Sequence, residues 1–248
     1  MADRDELARS FGDQVTAYEA ARPGYPREAV DWALEPINAA YSTIVDVGAG
    51  TGKLTRVLVA TGAEVIAVDP DAEMELELMA QVPGVETYLG TGESLPLPDA
   101  SADAITYGQA WHWVDPKRAV AEAVRVLHPG GVLALLWNEL DRSTPWVGRY
   151  RELLGTSPAE AFLASLTQLV LPEPFGGAEE RRFGWSATIG GAGLLDLARS
   201  RPAVMRAEPG VRERIEEGIR ALADELGLAG GATVELPYVT RAFRVVRP

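Results

Sequence analysis

The chain of 248 residues contains no cysteine. A disulfide framework, a thiol nucleophile and a thiolate metal site are therefore closed to it. Its two histidines are too few for an ordinary zinc or non-haem iron centre, so no metal is expected. Positive charge is also short: 23 Lys and Arg stand against 36 Asp and Glu, a net charge of −13. A general polyanion binder needs a basic surface, so nucleic acid is a poor partner. There is no run of about 18 apolar residues, so no membrane-spanning helix is expected. The opening "MADRDELARSFGDQ" lacks the apolar stretch of a signal peptide. A cytoplasmic location follows as the expectation.

What is present is an ordinary soluble composition, 47% hydrophobic and 24% charged. The length suits one α/β domain, or a core domain with a cap. Residues 5–18 read as a short helix, which "RPGYP" at 22–26 breaks. Helical spacing resumes over 27–40, with Val30, Leu34 and Ile37 on one side. From Thr43 to Asn138 strands and helices alternate with short links. The strands are Thr43–Val47, "AEVIAVD" ending at Asp69, "VETYLG", "SADAITYG" and "VLALLWN"; helices cover 54–61, 71–81 and 116–127. "HPGG" is expected to stop the last of these helices, and His128 within it reads as structural. That rhythm predicts a parallel sheet with helices on both faces. Beyond residue 140 come Pro- and Gly-rich helical segments. A strand is possible over 181–189, helices over 194–226 broken near "RPAV" and "EPG", and a last strand or hairpin over 233–246.

In such a sheet, ligands bind outside the carboxyl ends of the strands. The first strand ends in "VDVGAGTG", where Gly48, Gly50 and Gly52 admit positive φ and a close ligand approach. Asp69 closes the second strand 19 residues after Gly50, where an acid accepts from ribose hydroxyls. Together they point to a nucleoside-containing cofactor. The spacing is G-x-G-x-G, not the G-x-G-x-x-G of pyrophosphate binders. Asp46, two residues before Gly48, would repel a pyrophosphate and suits an ammonium. S-adenosylmethionine has a ribose, an α-ammonium and no phosphate.

Here the sequence resembles the class I S-adenosylmethionine-dependent methyltransferases, within them the small-molecule branch of trans-aconitate methyltransferase-like proteins. The residues that carry the resemblance are "FGDQVTAYEAARPGYP" (11–26), "VDVGAGTGK" (45–53), Asp69, "GTGESLPLPDASADAITYGQAWHWVD" (90–115) and "LHPGG" (127–131), about half the chain. The resemblance implies a Rossmann-like, doubly wound, mostly parallel seven-stranded sheet with a partly helical cap, in a single domain spanning 1–248. Residues 1–30 would be a lid, 43–138 the cofactor core, 140–200 the acceptor-side cap and 233–246 the last strand. It implies S-adenosylmethionine as cofactor and S-adenosylhomocysteine as product. Asp46, Gly48, Ala49 and Gly50 would hold the methionine end, and Asp69 and Pro70 the ribose. Thr91, Gly92 and Glu93 would face the adenine, the Gly108–Gln109 backbone the methionine part, and Ala110 and Trp111 the methyl group and the acceptor. Many relatives carry an acid where Thr91 stands, so its hydroxyl or the Gly92 backbone must substitute. Tyr18 and Arg22 match positions that close over the site, and Arg22 suits a carboxylate.

"GQAWHWVD" (108–115) follows the fourth strand directly and so reaches the same edge. An indole face attracts a sulfonium and excludes water. His112 is the candidate catalytic group, as a base or as a substrate contact; the alternative is a loop-fixing histidine. Tyr25, Trp113, Trp137 and Asn138 are acceptor-side candidates, with Asp141 just beyond. The expected reaction is in-line methyl transfer to an O, N or C nucleophile of a small molecule, a carboxylate included. The rivals are a nicotinamide oxidoreductase and a non-catalytic S-adenosylmethionine-binding protein.

Overall fold

A computed structural model describes Glu19 and residues 22–248. The helix expected over 5–18, and Tyr18 with it, lies outside the described residues. Five parallel strands come first: β1 (Thr43–Val47), β2 (Glu64–Asp69), β3 (Glu86–Leu89), β4 (Ala102–Gly108) and β5 (Leu127–Leu140). Two more follow, β6 (Glu179–Gly190) and β7 (Thr233–Val246). The sheet order is β3-β2-β1-β4-β5-β7-β6, with β7 antiparallel to both neighbours. A separate two-stranded hairpin pairs Val170–Leu171 with Gly176–Gly177.

Helices cover the sheet. They are α1 (Arg27–Leu34), α2 (Lys53–Val59), α3 (Ala72–Gln81), α4 (Pro116–Val126), α5 (Pro145–Leu154), α6 (Pro158–Ala164), α7 (Gly191–Arg199), α8 (Pro202–Met205) and α9 (Pro209–Glu225). Their starts are written in the sequence. Asp71 accepts from the Glu73 and Met74 N–H groups, and Asp115 from Lys117 and Arg118, which satisfies donors that a helix N-terminus leaves open. Pro116 opens α4, where a missing N–H costs nothing.

Along β5 the alternation sorts side chains to two cores. Leu133, Leu135 and Trp137 join the apolar face of α4 on one side, and Val132, Ala134 and Leu136 join α1 and α2 on the other. A third core lies past the carboxyl end of β5, where Leu140, Leu236 and Tyr238 meet α5, α7, α8 and α9. This is the partly helical cap. Among the described residues no helix is long and apolar enough to cross a membrane.

Two local expectations are corrected. The helix expected over 27–40 ends at Leu34, because Pro36 has no N–H to continue it and restricts Glu35; Ile37 lies beyond it. "HPGG" does end α4, but it also begins β5, as an irregular stretch with a register shift opposite Ala102 and Ala104 and with Gly130 at φ +82°. Of the two forms expected for 233–246, a last strand or a hairpin, the strand is found, and it pairs along both edges.

Candidate active site

The carboxyl ends of β1, β2 and β4 open onto a cavity of about 260 Å³. The glycine turn after β1 forms its floor. Gly48 stands at φ +66°, and a Cβ there would lie 2.5 Å from the Ala110 Cβ, so glycine is required by both conformation and space. The turn is wired to β2: the Gly48 and Ala49 N–H groups donate to the Val68 carbonyl at 2.8 and 3.2 Å, and Gly50 donates to Asp69 Oδ2 at 2.7 Å. The Gly52 N–H is turned back on the Ala49 carbonyl. These four N–H groups are thus already committed, and the turn is not a nest for phosphate.

The site presents carboxylates instead. Asp69 Oδ1 accepts from the Asp71 N–H at 2.9 Å, so each oxygen holds one backbone donor and keeps a lone pair for the cavity. Burial pushes its pKa up to about 6, against the lowering effect of those N–H bonds. Asp46 is fully buried, with Oδ2 accepting from Thr55 Oγ1 at 2.7 Å and Oδ1 from Thr106 Oγ1 at 3.0 Å. Burial pushes it up to about 7, against both hydroxyls. A buried carboxylate with only neutral donors is a ready partner for a cation.

Two buried hydroxyls in the cleft have no hydrogen-bond partner. Tyr107 OH lies in the first cavity beside Gly92, and Thr51 Oγ1 lies in a second cavity with Asp46, Gly48 and Ala49. The second cavity is walled by Arg22, Tyr25 and Asn138. A third, with His112, Trp113 and Glu160, opens beyond it. Gln109 lines all three and stands at φ +57°, a conformation a non-glycine residue adopts only under constraint. Its N–H donates to the Leu136 carbonyl and its Nε2 to the Asn138 carbonyl, both at 2.8 Å, which hold it there.

The matching family model is the methyltransferase domain, over residues 45–135. An uncharacterized methyltransferase of Mycobacterium tuberculosis is 42% identical over 242 residues, 97% of each chain. The chain belongs to the class I S-adenosylmethionine-dependent methyltransferases. A malonyl-[acyl-carrier protein] O-methyltransferase of Methylococcus capsulatus is 35% identical over 133 residues, covering 50% of this methyltransferase and 48% of that one. Among solved structures, a proposed type II methyltransferase from Anaeromyxobacter dehalogenans superposes with a TM-score of 0.65. It is 25% identical and covers 91% of this chain and 97% of that one.

Most residues expected at the cofactor come together. Gly48, Gly50, Asp69, Pro70, Thr91, Gly92, Glu93, Gln109 and Ala110 line the first cavity, and Asp46 and Ala49 the second. Glu93 is partly spent: its Oε1 accepts from the Asp115 N–H at 2.7 Å. "WHW" is a 3-10 turn in which the His112 and Trp113 rings lie 4.6 Å apart while Trp111 turns to the core. Trp111 is correspondingly displaced from the expectation: it is 2% exposed and packs edge-on to Tyr107, while Trp113 lines the first and third cavities.

Trp137 is displaced too. It is fully buried against Phe162 and Phe243, since odd positions of β5 face the α4 side and Asn138 faces the cleft. Its indole N–H donates to His112 Nδ1 at 3.4 Å. That bond leaves the neutral imidazole's proton on Nε2, so His112 is set as a donor; the base role expected of it requires the other tautomer.

Asn138 spends its amide on anchoring. Nδ2 donates to the Gly24 carbonyl at 2.8 Å, and Oδ1 accepts from Thr240 Oγ1 at 2.6 Å. The same entry segment is held further back, where Glu19 pairs with Lys53 at 2.8 Å and Arg56 at 3.2 Å. Asp141 Oδ1 accepts from the Ser143 N–H at 2.9 Å. His128 Nδ1 stands 3.3 Å from Asp103 Oδ1 at the far end of the sheet. Sequence reading missed Tyr107 and Thr51 as site groups. Both lie inside motifs it did use, and only their lack of a partner marks them.

Proposed function

We propose that this methyltransferase binds S-adenosylmethionine across the first two cavities and methylates an O, N or C nucleophile of a small molecule. The observation that carries the reading is the state of the glycine turn: the Gly48, Ala49, Gly50 and Gly52 N–H groups are committed, and two buried carboxylates stand beside it. A ligand with hydroxyls and a cation fits that donor set, and a pyrophosphate does not. The NAD-type alternative loses its anchor on the same ground.

In this reading Asp69 accepts from the ribose hydroxyls, and Thr91, Gly92, Glu93 and the Tyr107 hydroxyl surround the adenine. Asp46, with the Gly48 carbonyl and the Thr51 hydroxyl, takes the ammonium. Arg22 takes the carboxylate, which suits its bidentate fork. When bound, the cofactor supplies an electrophilic methyl carbon on a sulfonium. Trp113 shields that region from water with an apolar face that tolerates positive charge. Gln109 and Ala110 fix the floor on which the two reactants meet. His112, as an Nε2–H donor, orients the acceptor. Positioning alone supplies much of the acceleration in a displacement of this kind, so no acid–base relay is called for.

The reading extends to a single methyltransferase domain over 1–248, with residues 1–30, Tyr18 included, as a lid and 140–200 as acceptor cap. The contacts of Arg22 and Gly24 and the position of Glu160 support it. The net charge of −13 supports a small acceptor over a nucleic acid. A cytoplasmic location completes the reading.

The test is thermal stabilisation by S-adenosylhomocysteine and, separately, by NAD, in the wild type and in Asp69→Ala. A rise with S-adenosylhomocysteine alone, lost in the variant, is expected. A rise with NAD alone, or none with S-adenosylhomocysteine, overturns the reading.

A further inference from the structure

The wall shared by the second and third cavities holds two arginines, Arg22 and Arg201. Arg201 lies in the connection between α7 and α8, and its side chain is 12% exposed. Burying a guanidinium is costly unless its donors are used. Those of Arg201 are not: Nε and Nη1 are buried and make no hydrogen bond. Its ion pair runs from Nη1 to Glu160 Oε2 at 3.5 Å, beyond the length of a charge-assisted bond.

Glu160 is engaged elsewhere. Its Oε1 accepts from Arg151 Nε at 2.7 Å and its Oε2 from the Ser157 N–H at 2.8 Å. Glu139, the other acid of the third cavity, stands 3.9 Å from Arg241, whose Nε and Nη2 donate to Glu180. Glu160 is thus held by Arg151 and the Ser157 N–H, and Arg201 keeps Nε and Nη1 to spare. Arg22 adds a second positive charge to the same wall, with its Nη2 donating to the Ser200 carbonyl at 3.1 Å. Burial first, and then Arg22, holds the Arg201 pKa below the ordinary arginine value, opposed by Glu160. It remains a cation at any physiological pH.

We propose that Arg201 is the specificity-determining residue of the acceptor cleft, and that it binds a carboxylate of the acceptor other than the atom that receives the methyl. The inference rests on the cofactor assignment above, which gives Arg22 to the methionine carboxylate and leaves Arg201 for the acceptor. An oxygen gripped by a guanidinium has its lone pairs and charge engaged, so it is a poor nucleophile. The held carboxylate is an anchor, and a second group of the same molecule is presented beside Trp113 and His112. The acceptor is then bifunctional, and its methylated product keeps a negative charge.

The test compares wild type, Arg201→Met and Arg201→Lys. S-adenosylhomocysteine affinity is measured by calorimetry. The S-adenosylhomocysteine complex is then titrated with succinate, malate and propionate, each beside its amide, and turnover of the same compounds with S-adenosylmethionine is followed by mass spectrometry. In wild type, acids should bind at least tenfold tighter than amides. Any product should retain a free carboxylate, and propionate should bind without being esterified. Arg201→Met should lose the acid preference while its S-adenosylhomocysteine affinity stays within twofold, and Arg201→Lys should recover part of that preference.

Equal binding of acids and amides by wild type would overturn the proposal, as would an ester of propionate. A tenfold loss of S-adenosylhomocysteine affinity in Arg201→Met would assign the arginine to the cofactor's own carboxylate and overturn it as well. Wild type that fails to bind S-adenosylhomocysteine at all would bring down the cofactor assignment, and this proposal with it.

Discussion

At the cofactor end of the cleft, hydrogen bonds span shorter stretches of chain than at the acceptor end. Asp69 takes its donors from Gly50 and Asp71, and Asp46 takes one from Thr55, nine residues on, and one from Thr106, 60 residues on. At the acceptor end they cross most of the chain: Asn138 reaches Gly24 over 114 residues, and Arg22 reaches Ser200 over 178. The first end is built within β1 to β4 and the turns that follow them. The second exists only when the entry segment, β5 and the C-terminal helices have all docked. Damage at the first end should therefore abolish cofactor binding. Damage at the second should alter turnover and acceptor choice while cofactor binding survives.

The sharpest break is Gly48→Ala. The left-handed φ and the 2.5 Å approach to Ala110 together should cost about 2–4 kcal/mol and weaken S-adenosylhomocysteine binding by roughly 50-fold or more, read by calorimetry. Gly50→Ala is the control: it shares the positive φ, but nothing lies within 4 Å of its Cβ, so its loss should be clearly smaller.

Next comes Asn138→Ala, which unties Gly24 and Thr240. Catalytic efficiency should fall about 10–100-fold through misplacement of the acceptor wall, while S-adenosylhomocysteine affinity changes little. Equal losses in both would erase the distinction between the two ends.

A third effect follows from Asp46. Its pKa rises from 3.8 to about 7 on folding, so the folded state holds that proton more tightly than the unfolded chain. Its contribution to stability is complete below about pH 4 and is lost as pH rises towards 7. Asp69, raised to about 6, acts in the same direction over a narrower window. Melting temperature of the ligand-free protein should accordingly fall between pH 4 and 7 by this contribution, and Asp46→Asn should flatten the slope. Added S-adenosylhomocysteine should flatten it too, because an ammonium favours the carboxylate.

The smallest effect is Tyr107→Phe. The buried hydroxyl lacks a partner, so its removal should raise ligand-free stability by up to about 1 kcal/mol while weakening S-adenosylhomocysteine binding a few-fold. A loss of ligand-free stability would mean the hydroxyl is satisfied after all.

The same contrast explains what the sequence made legible. The alternation from Thr43 to Asn138, the two Asp caps and the glycine turn all act over a few residues, and each left a pattern that could be read. The seating of β7 between β5 and β6 depends on pairing across about a hundred residues, for which no local signal exists. Trp137 was misplaced because the end of a strand gives location but not face; the alternation of β5 sends it to the core and Asn138 to the cleft. Trp111 was misplaced because the 3-10 turn was not distinguishable from an extended link. Arg201 carries no motif at all. The role proposed for it rests on donors left over when Glu160 is held by Arg151 and Ser157.

The position of β7 also bears on how the molecule assembles. Leu140 pairs with Tyr238 and Val132 with Val246, so the long outer edge of β5 stays open until the last strand has been made. During synthesis that apolar edge is a template for any passing strand, including its counterpart on another nascent copy. Slow or truncated translation of the C-terminal region should consequently show itself first as aggregation, and only afterwards as missing activity.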